Sequence, residues 1–218
     1  VYGGGYQGYT KETELNITGT TVKKDIYGGG NAGRTDATTI NVSTPNITGY
    51  IYGAGLGATS HTKNVILNVN DTTQVAYVYG GGNAGSADNV IVNVNQNATS
   101  NYVFGGGYQG YTKETEINIT EATINNDIFG GGNAGDTDAT TINIYSSTLS
   151  GYIYGAGLGA TSHTEDVTVN IYSDANRIYG GGNAGSAGST NVNIYKGIIE
   201  ESIYGGGYVG VTTSTNEI

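Results

Sequence analysis

The chain has 218 residues, 39 of them glycine, with one proline, no cysteine and a formal net charge of −10. The acidic balance disfavours nucleic acid and anionic membranes as partners, because both select positive charge. Absent cysteine excludes disulfide frameworks and thiol chemistry, and no apolar run of about 18 residues marks a membrane span.

In chain order, the first element is an aliphatic residue, an aromatic and a glycine-rich hexad, and it recurs throughout. The aromatics are Tyr2, Tyr27, Tyr52, Tyr79, Phe104, Phe129, Tyr154, Tyr179 and Tyr204, at a constant interval that lengthens by two only between Tyr52 and Tyr79. A fixed period of about 25 residues predicts a solenoid and opposes the disorder that glycine-rich composition would suggest. Midway through each period stands a pair of aliphatics separated by one position: Leu15/Ile17, Ile40/Val42, Val65/Leu67, Val92/Val94, Ile117/Ile119, Ile142/Ile144, Val167/Val169 and Val192/Ile194. The residues between them are Asn16, Asn41, Ile66, Asn93, Asn118, Asn143, Thr168 and Asn193. This alternation, rich in β-branched residues, predicts a strand with one buried face. A further apolar position (Val22, Ile47, Ile124, Leu149, Ile199) and an Ile or Val before the next aromatic complete three β segments per coil.

The expected fold is all-β, a single-stranded β-solenoid of eight to nine coils, about 25 residues each, stacked ~4.8 Å apart. The coil length favours right-handed winding. The pattern runs over residues 1–218, which are expected to form one continuous domain, a fragment of a longer array. Residues 1–18 return almost unchanged at 103–120, and 51–62 at 153–164, which defines four-coil units at 2–103 and 104–203. The two extra residues between Tyr52 and Tyr79 are expected to bulge near Asp71–Val75.

Several rows invite a functional reading. Gly28-x-Gly30-x-x-Gly33 matches a dinucleotide fingerprint, but that fingerprint needs a following helix, and here a Thr-rich strand follows. The glycines are expected instead to supply positive φ and close backbone approach at a corner. Residues 131–136 resemble a calcium-roll repeat, yet the Asp136 row (Tyr9, Arg34, Thr59, Ser86, Tyr111, Asp136) lacks converging oxygens. No cofactor or metal is expected.

Nine positions after the aromatic, Lys11, Asp36, His61, Asp88, Lys113, Asp138 and His163 alternate basic or titratable groups with acids, a structural charge ladder that pins register. Neighbouring aspartates are expected to hold the histidines protonated and tighten the stack below neutral pH. No nucleophile unique to one coil stands beside His61 or His163, so neither is expected to be catalytic. The aromatic column is expected to stack half-buried against the glycines, with an exposed, partner-binding stripe as the alternative. The candidate ligand-binding residues are Tyr6, Gln7 and Tyr9, repeated as Tyr108, Gln109 and Tyr111, because tyrosines beside amides and charged groups can stack on and hydrogen-bond a sugar. The alternative is that they only cover the corner. The Asn row is expected to form a ladder. An ice-binding face would need a regular Thr array, and the outward row instead mixes Glu14, Thr39, Asn64, Ile91, Glu116, Thr141 and Asp166.

The motif IYGGGNAG at 26–33, followed by Thr39-Ile40-Asn41-Val42, resembles the Gly-rich β-solenoid repeats of large bacterial cell-surface and adhesin-like proteins. That resemblance covers essentially the whole chain. It implies an extracellular, cell-surface location and a structural or adhesive role: a rigid stalk with multivalent contacts. The alternatives are a glycan- or host-protein-binding module, and, as a minor one, ice or crystal-surface binding. No enzyme activity, nucleic acid or membrane insertion is expected. End-to-end or lateral self-association is expected at unpaired strand edges.

Overall fold

The computed structural model describes residues 1–216. These residues wind into an all-β parallel solenoid of about eight turns, roughly 25 residues per coil, with no helix among them. One long strand per coil builds a nine-stranded sheet whose order in space is its order in sequence. The strands are Thr10–Thr18, Arg34–Ser43, His61–Val69, Ser86–Val94, Thr112–Thr120, Thr137–Tyr145, His163–Tyr172, Ser186–Lys196 and Thr212–Thr215. A second sheet carries the strands that end in the column aromatics, from Ile26–Tyr27 to Ile199–Tyr204. Two-residue strands such as Thr21–Val22 and Thr123–Ile124 supply the third segment. In other coils that segment fuses with the aromatic strand, as in Gln74–Tyr79 and Thr99–Phe104. Half of the coils therefore hold one long and two short segments, and the other half one long strand and one fused strand, rather than three of similar length.

Alternation along the long strands sends one aliphatic row inward. Ile40, Leu67, Val92, Ile117 and Ile142 pair in register and are fully buried. Each such side chain contributes about 1.5–3 kcal/mol on leaving water. Beside this core the aromatics form a second one. From Tyr2 to Tyr204, successive rings lie 4.7–5.1 Å apart between centroids and within 15° of parallel. Between its ends the column is buried, at most 5% exposed at Tyr27. It is thus neither half-buried nor an exposed stripe, because its rings cover one another and Leu56, Tyr77, Tyr102, Tyr152 and Leu158 pack against it.

The extra residues lie elsewhere than Asp71–Val75. Tyr27 pairs with Tyr52 at the ordinary interval, but Arg34 pairs with His61, a separation longer by two. The insertion therefore sits in the glycine-rich corner after Tyr52, where Ala58–Thr59 form a turn and Ser60 N donates to Gly57 O at 2.8 Å. The second unit carries the same insertion, since Thr137 pairs with Thr164. A loop shorter by two after Ile171 compensates there, and Tyr154 still pairs with Tyr179 at the ordinary interval. Spacing counted from aromatic to aromatic hides this shift. In register, the row between the paired aliphatics reads Asn16, Asn41, Asn68, Asn93, Asn118, Asn143, Asn170, Asn193, without the Ile66 and Thr168 interruptions.

The corner glycines act through close approach rather than through positive φ. A Cβ on any of Gly3, Gly28, Gly53, Gly80, Gly105, Gly130, Gly155 or Gly180 would lie 2.0–2.3 Å from the carbonyl oxygen of the equivalent glycine in the next coil. Positive φ occurs instead at the corner after the long strand, at Gly19 and Gly197 and, without glycine, at Thr72, Asn97, Glu121 and Ser146. One position further along the glycine corner, a Cβ on Gly4, Gly29, Gly81, Gly106, Gly131 or Gly181 would meet a buried Thr Oγ1 at 2.4–2.8 Å. Those hydroxyls (Thr35, Thr62, Thr112, Thr137, Thr164, Thr212) have no conventional hydrogen-bond partner and rest against glycine Cα–H groups, a weak polar contact. Where the glycine is replaced by Ala54 or Ala156, the Thr row reads Ala87 or Ala187, so the added methyl is matched by a lost hydroxyl.

Substitutions at these corners have defined expected outcomes. Gly81→Ala is expected to lose about 1–3 kcal/mol by overpacking, and Thr112→Ala added to it to recover part of that loss. Chemical denaturation of both single variants and the double one measures the coupling, and strict additivity would contradict the pairing. Thr72→Gly is expected to gain about 1 kcal/mol, because a β-branched residue in the left-handed region is strained; an unchanged midpoint would refute the strain.

Candidate functional site

The outward face of the nine-stranded sheet and the adjoining corner carry the polar rows. The central row is the asparagine ladder. Asn41, Asn68, Asn93, Asn118, Asn143, Asn170 and Asn193 each donate from Nδ2 to the Oδ1 of the preceding asparagine at 2.7–3.1 Å. One edge of every amide is thereby consumed by its neighbours. Beside it, the outward row expected to contain Asn64 and Asp166 instead reads Glu14, Thr39, Ile66, Ile91, Glu116, Thr141, Thr168, Asn191. It is still chemically mixed.

The charge ladder is also changed by the corner insertion. Because Thr62 follows Thr35 and Asn64 follows Ala37 in register, the row containing Lys11, Asp36, Asp88, Lys113 and Asp138 continues through Lys63 and Glu165, not through His61 and His163. The histidines fall in the neighbouring row, with Arg34 before His61 and Ser86 after it. The same register corrects Thr59 in the Asp136 row to His61. Ion pairs in these rows form mostly within a strand, Arg34–Asp36 and Lys113–Glu114, each at 3.3 Å. Being largely solvated, such pairs are individually weak.

The shift brings each histidine to a serine that its sequence neighbourhood does not show. His61 Nδ1 lies 2.9 Å from Ser86 Oγ and His61 Nε2 3.4 Å from Asp88 Oδ2. In the second unit, His163 Nδ1 lies 2.8 Å from Ser186 Oγ and Nε2 2.9 Å from Glu165 Oε2. A nucleophile does therefore stand beside each histidine. Acyl transfer also needs free donors aimed at a developing oxyanion. The amides of Ser86, Ala87, Ser186 and Ala187 are already committed, to the carbonyls of Ser60, Tyr111, Ser162 and Val211 at 2.8–3.0 Å. As built, each group of three clamps adjacent coils.

The tyrosine corner occurs in both units. Tyr6 and Tyr9 are 72% and 63% exposed in the first coil, whereas Tyr108 and Tyr111, with coils on both sides, are 38% and 43% exposed. The interior copy is the stricter test of a platform, and it keeps both rings accessible. Gln7 and Gln109 are exposed as well. Tyr108 sets its ring edge-on against Tyr79 of the buried column, at 6.0 Å and 86°, so it both covers the corner and faces solvent. Tyr9 and Tyr111 are held upright by their hydroxyls, which donate to Asp36 Oδ2 and Asp138 Oδ2 at 2.5 Å. The hydrogen bond to Asp138, then burial and the Asp138 charge, push the Tyr111 hydroxyl up to about 12. Asp36 is held below the usual carboxylate range, first by the Tyr9 hydrogen bond.

Two further tyrosine arrays lie outside the rows singled out from the sequence. Tyr145, Tyr172 and Tyr195 stack on the outward face at 4.6–4.9 Å. On the second sheet, Tyr77 stacks on Tyr102 at 4.9 Å, and Arg177 lies 4.9 Å over the Tyr152 ring. Inside a stack only ring edges and hydroxyls face outward, whereas Tyr195 at the end of its stack is 59% exposed. Among the described residues no group of three or more His, Cys, Asp or Glu could hold a metal ion, and no helix is long and apolar enough to cross a membrane. No protein-family model, curated protein or solved structure matches the chain.

The Tyr111–Asp138 pair gives a pH prediction. The raised hydroxyl pKa means that the pair's contribution is present below about 10, the ordinary tyrosine value, and is lost as pH rises through about 12. Ultraviolet titration of tyrosinate should show Tyr111 ionising late, and Asp138→Asn should return it toward about 10. A Tyr111 transition unaffected by that substitution would contradict the hydrogen bond.

Proposed function

We propose that the chain is a rigid repeat segment of an extracellular bacterial surface protein: a stalk that sets distance, with corner tyrosines that add multivalent contacts. The observation that carries the stalk reading is the aromatic column. Nine rings stack without a gap from Tyr2 to Tyr204, flanked by an aliphatic core, so the interior is filled along the axis. The repetition of the four-coil unit suits a role that scales with length or copy number. Committed amides beside both serines support a role without catalysis. The bacterial surface location rests on the resemblance of the repeat motif alone.

The second reading, a glycan-binding module, rests on Tyr108 and Tyr111 remaining accessible within the array. An ice- or crystal-binding face has less support, because the corrected outward row is still mixed.

The two main readings separate experimentally. The chain and a Tyr6→Ala/Tyr9→Ala/Tyr108→Ala/Tyr111→Ala variant would be applied to a broad glycan and polysaccharide array. Saturable binding by the chain, lost in a variant that stays folded, is the result expected of adhesive corners. Binding by neither protein removes the adhesive part and leaves the stalk. Single-molecule stretching tests the stalk itself, which should resist extension in cooperative steps; smooth uncoiling at negligible force would overturn it.

A further inference from the structure

The two units share their buried rows but not their surface charge. Residues 2–103 carry five basic and six acidic side chains, while residues 104–203 carry three basic and eleven acidic ones, net −1 against −8. Part of this divergence falls at one place. In the first unit the join between strand Arg34–Ser43 and strand His61–Val69 brings together Arg34, Asp36, His61, Lys63 and Asn64. The equivalent join in the second unit, between Thr137–Tyr145 and His163–Tyr172, brings together Asp136, Asp138, His163, Glu165 and Asp166. The Arg, Lys and Asn of the first unit have become Asp, Glu and Asp.

The register makes the consequence specific. Along the ladder Lys11, Asp36, Lys63, Asp88, Lys113, Asp138, every step sets opposite charges on adjacent strands, and the step from Asp138 to Glu165 sets acid against acid. Directly opposed like charges destabilise a strand pair. We propose that the join between strands Thr137–Tyr145 and His163–Tyr172 is a charge-strained joint of the solenoid, loosest at neutral to alkaline pH and tightened when its side chains take up protons.

The groups facing it are these. Strand Thr112–Thr120 and its approach present Tyr111, Lys113, Glu114 and Glu116; Lys113 pairs with Glu114 at 3.3 Å, and Tyr111 donates to Asp138. His163–Tyr172 presents His163, Glu165 and Asp166. Strand Ser186–Lys196 offers Ser186 to His163 and Ser189 to Asp166, neither of them charged. Lys113 faces Asp138 from the other side, and His163 is the basic side chain next to Glu165. It contacts Glu165 through Nε2, and its backbone N–H donates to Asp136 Oδ1 at 2.9 Å. Protonation of His163 therefore places a cation against Glu165, and protonation of either opposed acid removes the repulsion. Both changes stabilise the join as pH falls, and added salt screens the same repulsion.

Native-state hydrogen exchange tests this on the intact chain, with strand His61–Val69 as the internal reference. At about pH 8 and low salt, amides of His163–Tyr172 are expected to be about 2–5-fold less protected than their counterparts in the first unit. That gap should close at about pH 5 and in high salt. Glu165→Lys, which restores the alternation, should close it at all pH values. Lys63→Glu should open a matching gap in the first unit, and it keeps the test decisive if Glu165→Lys perturbs folding. Equal protection of the two strands at alkaline pH overturns the proposal, as does a gap that neither substitution moves.

Discussion

A parallel stack of coils repeats every side chain at the pitch of its backbone hydrogen bonds, and in this protein the glycine corner permits that pitch. The corner Cα atoms rest directly on carbonyl oxygens of the next coil, with no space for a Cβ. If a side chain were forced in there, the coils would separate locally and three other interactions would lengthen together. Ring stacking at 4.7–5.1 Å, Asn amide bonds at 2.7–3.1 Å and the ladder bonds of both sheets all share that pitch. None of these is strong alone: a ring pair adds about 0.5–1.5 kcal/mol beyond burial, and a net hydrogen bond about as much. Their common dependence on one spacing makes them cooperative, since no coil can bury its apolar rows without its neighbours.

Holding every row in phase also decides where length can vary. A slip of one residue within a strand would turn its aliphatics outward. Both insertions fall in the corner after the aromatic, at the turns formed by Ala58–Thr59 and Ala160–Thr161, where no row crosses. Ser60 and Ser162 brace the enlarged loops by donating to Gly57 O and Gly159 O at 2.7–2.8 Å. The alanine pairs belong to the same coils or the ones after them: Ala54 and Ala156 stand in the coils with inserted corners, and Ala87 and Ala187 in the coils that follow. A local change of shape is thus absorbed by an adjustment one coil away, without disturbing the column.

Fold class, coil length and the buried rows were legible in the sequence, because the fixed spacing and the apolar alternation both report on burial. The phase of the outer rows was legible only in part. Counting from aromatic to aromatic assumes that every corner has the same length, and the compensating loop after Ile171 conceals the second insertion from that count. An error of two positions moved Lys63 and Glu165 out of the charge ladder, put Ile66 and Thr168 into the asparagine row and hid the Ser86–His61 and Ser186–His163 contacts. Of the candidate site, the exposure of Tyr6, Tyr9, Tyr108 and Tyr111 agrees with their position in a polar corner. The Tyr111–Asp138 bond joins residues 27 positions apart, one coil plus the two positions separating their rows, and depends on ring orientation that spacing does not encode.

The two copies of the unit provide an internal comparison of what the architecture restricts. Most inward positions change among close equivalents, such as Leu15 to Ile117, Val42 to Ile144 and Tyr27 to Phe129, while Val90 gives way to the near-isosteric Thr190, because each must fit between fixed neighbours. Outward positions exchange Arg34 for Asp136 and Lys63 for Glu165 without altering the register of the strands that carry them. The interior therefore sets length and stiffness, and the surface can change charge nearly independently of it. The corner tyrosines lie between these regimes: Tyr108 packs its edge on the column and still faces solvent, so its position is set from within while its exposed surface is not. A stalk and an adhesive surface then make compatible demands on this sequence, since one draws on the rows that face inward and the other on rows the stack leaves free.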